Sequence, residues 1–111
     1  MKIIITAQGK EKTSLMDARF GRCQYFHVYD YDKGFIKVIE NRANQATGGA
    51  GIKAANLILK EKPDVIITSD VGPNAGYVLK NNEIKVFVSD LKKVSDVFAD
   101  FKENKLEEIS I

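Results

Sequence analysis

The sequence predicts a mixed α/β fold, in which helices cover the faces of a mixed β-sheet. Two short β-branched runs, Ile3–Ile5 and Val65–Ile67, are apolar throughout, as is typical of central strands buried on both faces. Two further strands flank a short turn at Lys33-Gly34, which makes them antiparallel neighbours. Later segments repeat their apolar residues at helical spacing.

Each element has its own signal along the chain. Pro63 ends the first helix, and Pro73 suits the first turn of the second. Apolar residues at i, i+3, i+4 and i+7 define the third helix, from Val94 to Phe101. The predicted strands are Ile3–Ile5, Cys23–Asp30, Phe35–Glu40, Asp64–Thr68 and Lys85–Ser89, and the tail Leu106–Ile111 can add a short edge strand.

Helix one is predicted over Gly49–Lys60, and helix two opens within Ser69–Asn74. Ile52, Ala55 and Leu59 form the expected apolar face of helix one. The resulting β-β-β-α-β-α-β-α order, with right-handed crossovers, gives a five-stranded sheet in which a three-strand antiparallel meander precedes βαβ units. This is the topology of ribonuclease-H-like folds.

Length, charge and cysteine content restrict the classes of function. The 111 residues fit one domain, residues 1–111. A net charge of +2 is too small to indicate a nucleic-acid partner. The single cysteine, Cys23, cannot form an intramolecular disulfide, and no apolar stretch is long enough for a signal peptide or membrane span. We therefore expect a reducing, cytoplasmic setting and no membrane partner.

Three loops are expected at one end of the sheet: the end of strand one and the loops before helices one and two. Ligands of open α/β sheets tend to bind at the carboxyl ends of the strands. Thr47–Gly51 and Ser69–Asn74 both expose backbone N–H groups at a helix start, which suits an anion. Tight turns, capping and close helix packing explain the same residues without a ligand. The candidate residues in these two loops are Gly48, Gly49, Gly51, Gly72 and Asn74.

The third candidate is the segment Arg19–Cys23, with His27 four residues further on. Thiolate and imidazole are metal ligands, and flanking arginines attract an anion. Alternation along the predicted strand Cys23–Asp30 places Cys23 on the same face as His27, about 13 Å away at roughly 3.3 Å per residue, which is too far to share one ion. A buried thiol and a satisfied core imidazole remain the alternative interpretations.

No catalytic constellation is found in the sequence. A ribonuclease-H-type nuclease needs clustered carboxylates for two metals, yet the first strand carries no acid. The spacing of Cys23 and His27 also argues against a thiol activated by that imidazole. The sequence therefore predicts a binding protein rather than an enzyme.

Three segments carry a resemblance to a known family: Arg19–Phe26, Gly49–Ala55 and Val71–Ala75. In this order and spacing they resemble the dinitrogenase iron-molybdenum cofactor biosynthesis family of nitrogenase accessory factors, over nearly the whole chain. The resemblance implies a ribonuclease-H-like fold and a carrier that binds an iron-sulfur or iron-molybdenum-type cluster transiently. It also implies donor and acceptor proteins of cluster assembly as partners.

For such a carrier, Cys23 is the first candidate for a direct metal ligand and His27 the second. Many members carry a histidine just before the first helix, where this chain has Thr47-Gly48. The clusters are anionic, and the cations that suit an electrostatic receiving surface are Arg19, Arg22, Arg42 and Lys53. Two alternatives stay open: a protein–protein interaction or regulatory module without a metal site, and a small-anion or nucleotide-phosphate binder at Thr47–Gly51.

Overall fold

The computed structural model describes residues 1–111, and all its strands belong to one sheet. The sheet order is β3-β2-β1-β4-β5-β6, with parallel pairing among β1, β4 and β5 and antiparallel pairing elsewhere. The mixed α/β prediction is thereby confirmed. In chain order the elements are β1 (Lys2–Ala7), β2 (Tyr25–Asp30), β3 (Gly34–Glu40), a 3-10 helix (Arg42–Gln45), α1 (Ala50–Leu59), β4 (Val65–Thr68), α2 (Pro73–Asn81), β5 (Lys85–Val88), α3 (Val94–Lys102) and β6 (Glu107–Ile109).

The sheet has six strands, so the predicted count of five is wrong. The sixth strand, β6, pairs antiparallel with β5, and Ile109 lies opposite Val86. It lies within Leu106–Ile111, where the sequence allowed a short edge strand, and it does lie at the edge of the sheet. Backbone pairing with β5 and the packing of Ile109 against the core make this tail a strand.

The sheet separates two hydrophobic cores. The first core contains Ile4 and Ile66, together with the inner faces of α1 and α2. The second core contains Ile3 and Ile5 and is covered by α3, so consecutive β1 side chains enter opposite cores. This explains the unbroken apolar run of β1, because each fully buried isoleucine stabilises the fold by roughly 1.5–3 kcal/mol. None of the helices has the length and apolarity of a membrane span.

The strand β2 begins at Tyr25, two residues later than predicted. Cys23 therefore lies outside the strand, and its side chain packs in the first core. His27 lies within β2 on the opposite face, where its ring meets Phe35 edge to face. The expectation that Cys23 and His27 share a face is wrong, because alternation holds only inside the strand.

Helix α1 follows its predicted bounds to within one residue at each end. Its fully buried positions include Ala54, Ala55 and Ile58, whereas Ile52 is exposed. The apolar face was thus predicted correctly at Ala55 and wrongly at Ile52. Small residues on the inner face let α1 approach α2 closely, whereas Ile52 lies at the end of the sheet where the predicted loops meet.

Candidate functional site

The segment after β1 and the starts of α1 and α2 meet in a cleft of about 360 Å³. We call this the convergent cleft. It lies beyond the carboxyl ends of β1 and β4, where ligands bind in open α/β sheets. Its lining residues are Arg19, Phe20, Gly21, Arg22, Gly49, Ala50, Gly51, Ile52, Asp70, Gly72, Pro73, Asn74 and Ala75.

Two helix N-termini open into the convergent cleft. Gly49 is the N-cap of α1 and adopts a left-handed conformation, with φ of 68°. Gly72 is the N-cap of α2, and Pro73 follows it in the first turn. Neither cap residue makes a side-chain hydrogen bond, so neither helix has its first-turn N–H groups capped from within. Both helix dipoles add positive potential to the same cleft.

Close backbone contacts hold the three walls together. A Cβ placed on Gly21 would lie 2.7 Å from the nitrogen of Gly51 and 2.8 Å from its Cα. A Cβ on Gly51 would in turn lie 3.1 Å from the Cβ of Ala75 in α2. The Arg19–Arg22 turn, α1 and α2 are thus in contact through residues with little or no side chain. These glycines have a packing role, which is the structural interpretation that the sequence left open.

A buried polar network supports the floor next to the cleft. The Thr6 hydroxyl donates to the carbonyl of Asp17 at 2.6 Å and lies 3.0 Å from the Thr68 hydroxyl. The backbone N–H of Asp70 donates to the carbonyl of Ala18 at 2.9 Å. These contacts join the ends of β1 and β4 to the segment that carries the cleft arginines, so the arginine backbone is held in place.

Two arginines form the cationic wall of the cleft. Arg22 donates through Nη1 to the carbonyls of Asn44 and Ala46, at 2.9 and 2.7 Å. Its other guanidinium donors have no partner within the chain. The Arg19 side chain is 65% exposed and pairs through Nε with Asp17 at 3.4 Å. Both guanidinium groups are therefore positioned while retaining donors for an anion.

One acidic residue lines the cleft. Asp70 is exposed, and its backbone bridges to Arg19. Its carboxylate opposes the positive potential of the two helix starts and the arginines. The cleft is therefore cationic overall, although less so than its arginines and helices alone would make it.

Cys23 does not line the convergent cleft. The thiol is fully buried and donates to the carbonyl of Phe20 at 3.4 Å, while the Asn41 amide approaches the sulfur at 3.7 Å. Burial, with a smaller contribution from the charge of Asp17, raises the pKa of Cys23 to about 12. A protonated thiol in the core is a poor metal ligand, because the thiolate is the ligating form. Its placement does not fit the predicted role of direct ligand.

The position of His27 also does not fit the predicted role of metal ligand. The imidazole is fully buried on the other face of the sheet, and its Nε2 lies 2.7 Å from the carbonyl oxygen of Gly9. That contact makes Nε2 the protonated nitrogen, and Nδ1 is buried without a partner. Burial lowers the pKa of His27, so the neutral form predominates at neutral pH. The structure separates this side chain from the cleft by the sheet itself.

The remaining predicted residues divide between two surfaces. Gly48 lies outside the cleft lining. The structure places Arg42 and Lys53 in a second groove between the 3-10 helix and α1, whereas Arg19 and Arg22 line the cleft. The four cations therefore line two grooves, and their predicted role in receiving a cluster stays a prediction. Of the residues predicted from the sequence, the cleft brings together Arg19, Arg22, Gly49, Gly51, Gly72 and Asn74.

Sequence reasoning missed the roles of Gly21 and Ala75. Gly21 sits between two arginines in Arg19–Cys23, so its sequence context draws attention to charge. Its contact with Gly51 joins residues thirty positions apart, and no local pattern indicates such an approach. The only local signal is that small residues occur at helix starts, and this pattern fits an anion site as well as close packing.

The cleft can bind an anion but offers few inner-sphere ligands. No group of three or more His, Cys, Asp or Glu side chains could hold a bare metal ion. The donors available are backbone N–H groups and guanidinium N–H groups, which suit oxygen or sulfide atoms at the surface of an anion. The geometry thus defines an α/β protein with an open cleft that presents hydrogen-bond donors and positive potential.

A comparison of family sequences identifies the chain further. The family described as dinitrogenase iron-molybdenum cofactor matches residues 1–104, and the chain belongs to this family. An uncharacterised protein of Methanocaldococcus jannaschii is 33% identical over 95 residues, covering 83% of this chain and 80% of that protein.

Solved structures agree with this assignment. The apo form of the orange protein from Desulfovibrio gigas superposes with a TM-score of 0.92 at 31% identity, covering 98% of this chain and 92% of that one. A NifB-like protein of the DUF35 family from Thermotoga gives a TM-score of 0.87 at 32% identity, covering 99% and 94% of the two chains. The predicted family relationship is confirmed.

Proposed function

We propose that this protein carries an anionic metal–sulfur cluster, of the iron-sulfur or iron-molybdenum type, in the convergent cleft. The observation that carries the proposal is the meeting of two uncapped helix N-termini with Arg19 and Arg22 around one cavity. The family relationship supports the choice of cargo. The order β3-β2-β1-β4-β5, with β2 antiparallel to β1, supports a ribonuclease-H-like classification of the fold.

The donor set determines how such a cargo would be held. Neither Cys23 nor His27 reaches the cleft, so the cluster must bring its own ligands. Backbone and guanidinium N–H groups would then contact the sulfides or oxygens at its surface. Contacts of this kind break without exchange of a metal ligand, which suits a protein that receives a cargo and passes it to an acceptor.

The carrier role is tested by anaerobic titration of the reduced protein with isolated iron-molybdenum cofactor and, separately, with an iron–sulfur cluster. Visible absorption and electron paramagnetic resonance report the bound cluster. We expect stoichiometric binding by the wild type. Charged hydrogen bonds contribute about 1.5–3 kcal/mol each, so Arg19→Ala/Arg22→Ala should weaken binding about tenfold or more.

Two further variants locate the ligands. Cys23→Ala should leave the affinity unchanged, because the thiol lies in the core. Lys80→Ala/Lys85→Ala removes the same charge on α2 and β5 and should also bind normally. If Cys23→Ala abolishes binding, the core must open to expose the thiol. If the arginine variant binds like the wild type, the cleft is not the site.

The principal alternative is an interaction or regulatory module without a metal site. It draws support from the burial of Cys23, which keeps the thiol out of the cleft. A wild type that binds neither cluster would favour it. An excess of inorganic phosphate in the same titration tests the small-anion alternative, since phosphate bound at Thr47–Gly51 would compete fully with the cluster.

A further inference from the structure

A second cationic surface lies on the outer side of α1, separate from the convergent cleft. It is a groove of about 350 Å³ between the 3-10 helix and α1, and we call it the basic groove. It is lined by Arg42, Ala43, Lys53, Asn56, Leu57 and Lys60. Three of these residues belong to α1 and Lys60 is its C-cap, and the four follow the spacing i, i+3, i+4 and i+7, so they occupy one face of the helix.

The three cations of the basic groove are uncompensated. Arg42, Lys53 and Lys60 are exposed, and none of them forms an ion pair or a side-chain hydrogen bond within the chain. No acidic residue lines the groove. By contrast, Lys37 and Lys92 are each paired with a carboxylate, at 3.0 and 2.8 Å. Since the whole chain carries only +2, this potential is local.

The floor of the basic groove is apolar. Ala43 is buried, and half-buried Leu57 packs against the first core. An apolar floor below a cationic rim fits a segment that presents an apolar side chain between carboxylates. Protein interfaces commonly combine an apolar anchor with a polar rim, and complementary charges speed and orient docking.

Other anionic partners fit less well. Proteins that hold duplex DNA commonly contact 6–10 phosphates, about twice or more the three cations available here. Polybasic membrane sites use about 4–8 cations, and the apolar residues of this groove are recessed below the rim rather than projecting from it. A short acidic segment of another protein matches both the charge and the size of the groove.

We propose that the basic groove docks an acidic, amphipathic segment of a partner protein. Helix α1 carries both surfaces, because Ala50–Ile52 line the convergent cleft and the side chains of Lys53, Asn56 and Leu57 line the groove. A docked partner is thereby held beside the mouth of the cleft. The inference does not depend on what the cleft binds.

The proposal is tested with a synthetic helical peptide of about 18 residues that places glutamates around a leucine stripe. A control peptide of equal charge replaces the leucines by serine. Nuclear magnetic resonance shifts of the labelled protein report the contact surface. We expect shifts at Arg42–Ala43 and Lys53–Lys60, weaker binding of the serine peptide, and weakening as salt rises from about 0.05 to 0.3 M.

Charge reversal supplies the matched variants. Lys53→Glu/Lys60→Glu should weaken the leucine peptide about tenfold or more, whereas Lys80→Glu/Lys85→Glu, with the same change in net charge, should bind normally. Circular dichroism confirms that both variants remain folded. Absence of peptide binding at low salt, or equal loss in both variants, would overturn the proposal.

Two other outcomes would also overturn it. Shifts confined to Gly49–Ile52 and Gly72–Ala75 would assign the peptide carboxylates to the convergent cleft. Tighter binding to vesicles of anionic phospholipid, or to single-stranded RNA, through the same lysines would assign the groove to another class of partner. Neither result bears on cluster binding, which the Arg19→Ala/Arg22→Ala titration decides separately.

Discussion

The convergent cleft differs from the Cys23–His27 pair in both composition and exposure to solvent. The cleft is made of glycines, backbone N–H groups and two arginines, and it is open to solvent. The two side chains with the most familiar ligand chemistry are fully buried and lie on opposite faces of the sheet. Cys23 and His27 therefore pack inside the protein, whereas glycines, backbone N–H groups and arginines form the candidate site.

The largest expected effect on the convergent cleft comes from a substitution at Gly21. Because a Cβ there would lie 2.7 Å from backbone nitrogen, Gly21→Ala should force the arginine turn away from α1. We expect a loss of about 1–3 kcal/mol in the free energy of unfolding, together with loss of cluster binding. Urea denaturation and the anaerobic titration measure the two effects.

Gly48→Ala is the matched control, because a Cβ on Gly48 meets nothing within 4 Å. Its free energy of unfolding should stay within about 0.5 kcal/mol of the wild type. If Gly21→Ala proves as stable as this control, the close approach of Gly21 to Gly51 is not required to hold the cleft.

The next largest expected effect on stability comes from removing the buried thiol of Cys23. Cys23→Ala removes a sulfur atom from the first core and should lower the free energy of unfolding by about 1–2 kcal/mol. In the wild type, the raised pKa and the burial should make the thiol react at least about a hundredfold more slowly with an aromatic disulfide at pH 8 than in the unfolded chain. Fast modification of the native protein would show that the core opens readily around Cys23.

The buried imidazole makes stability depend on pH. Burial lowers the pKa of His27 below its ordinary 6.5, so the unfolded chain binds a proton that the native chain does not. The free energy of unfolding should therefore fall as pH drops below about 6.5, by at most about 1.4 kcal/mol per pH unit for one proton. Denaturation of wild type and His27→Gln between pH 7.5 and 5 measures the difference, and parallel curves would assign no titration to His27.

The smallest expected effect is a change in anion affinity on substitution of Asp70, and it tests the electrostatic contribution to binding in the cleft. Removing this carboxylate should strengthen anion binding, because it opposes the arginines and helix starts. The side chain is exposed, so Asp70→Asn should improve the affinity only about two- to fivefold. Asp90→Asn, outside the cleft, should change nothing. Equal affinities for both variants would show that Asp70 does not set the strength of binding.

Much of the fold followed from local sequence. The apolar runs of β1 and β4, the turn at Lys33-Gly34 and the spacing of α3 each express burial or geometry within a few residues. The meeting of three loops at one end also followed, because parallel strands joined by right-handed crossovers bring their carboxyl ends together. These features needed no knowledge of distant contacts.

By itself, then, the sequence determined the mixed α/β class, the helix positions and the end of the sheet that carries the cleft. The tertiary structure alone decided that Cys23 enters one core and His27 the other, and that Arg42 and Lys53 line the basic groove rather than the cleft. The physical reason is the separation in sequence between the residues that interact. Strand and helix patterns act over neighbouring residues, whereas burial and contacts such as Gly21 with Gly51 depend on segments that meet only after the chain has folded.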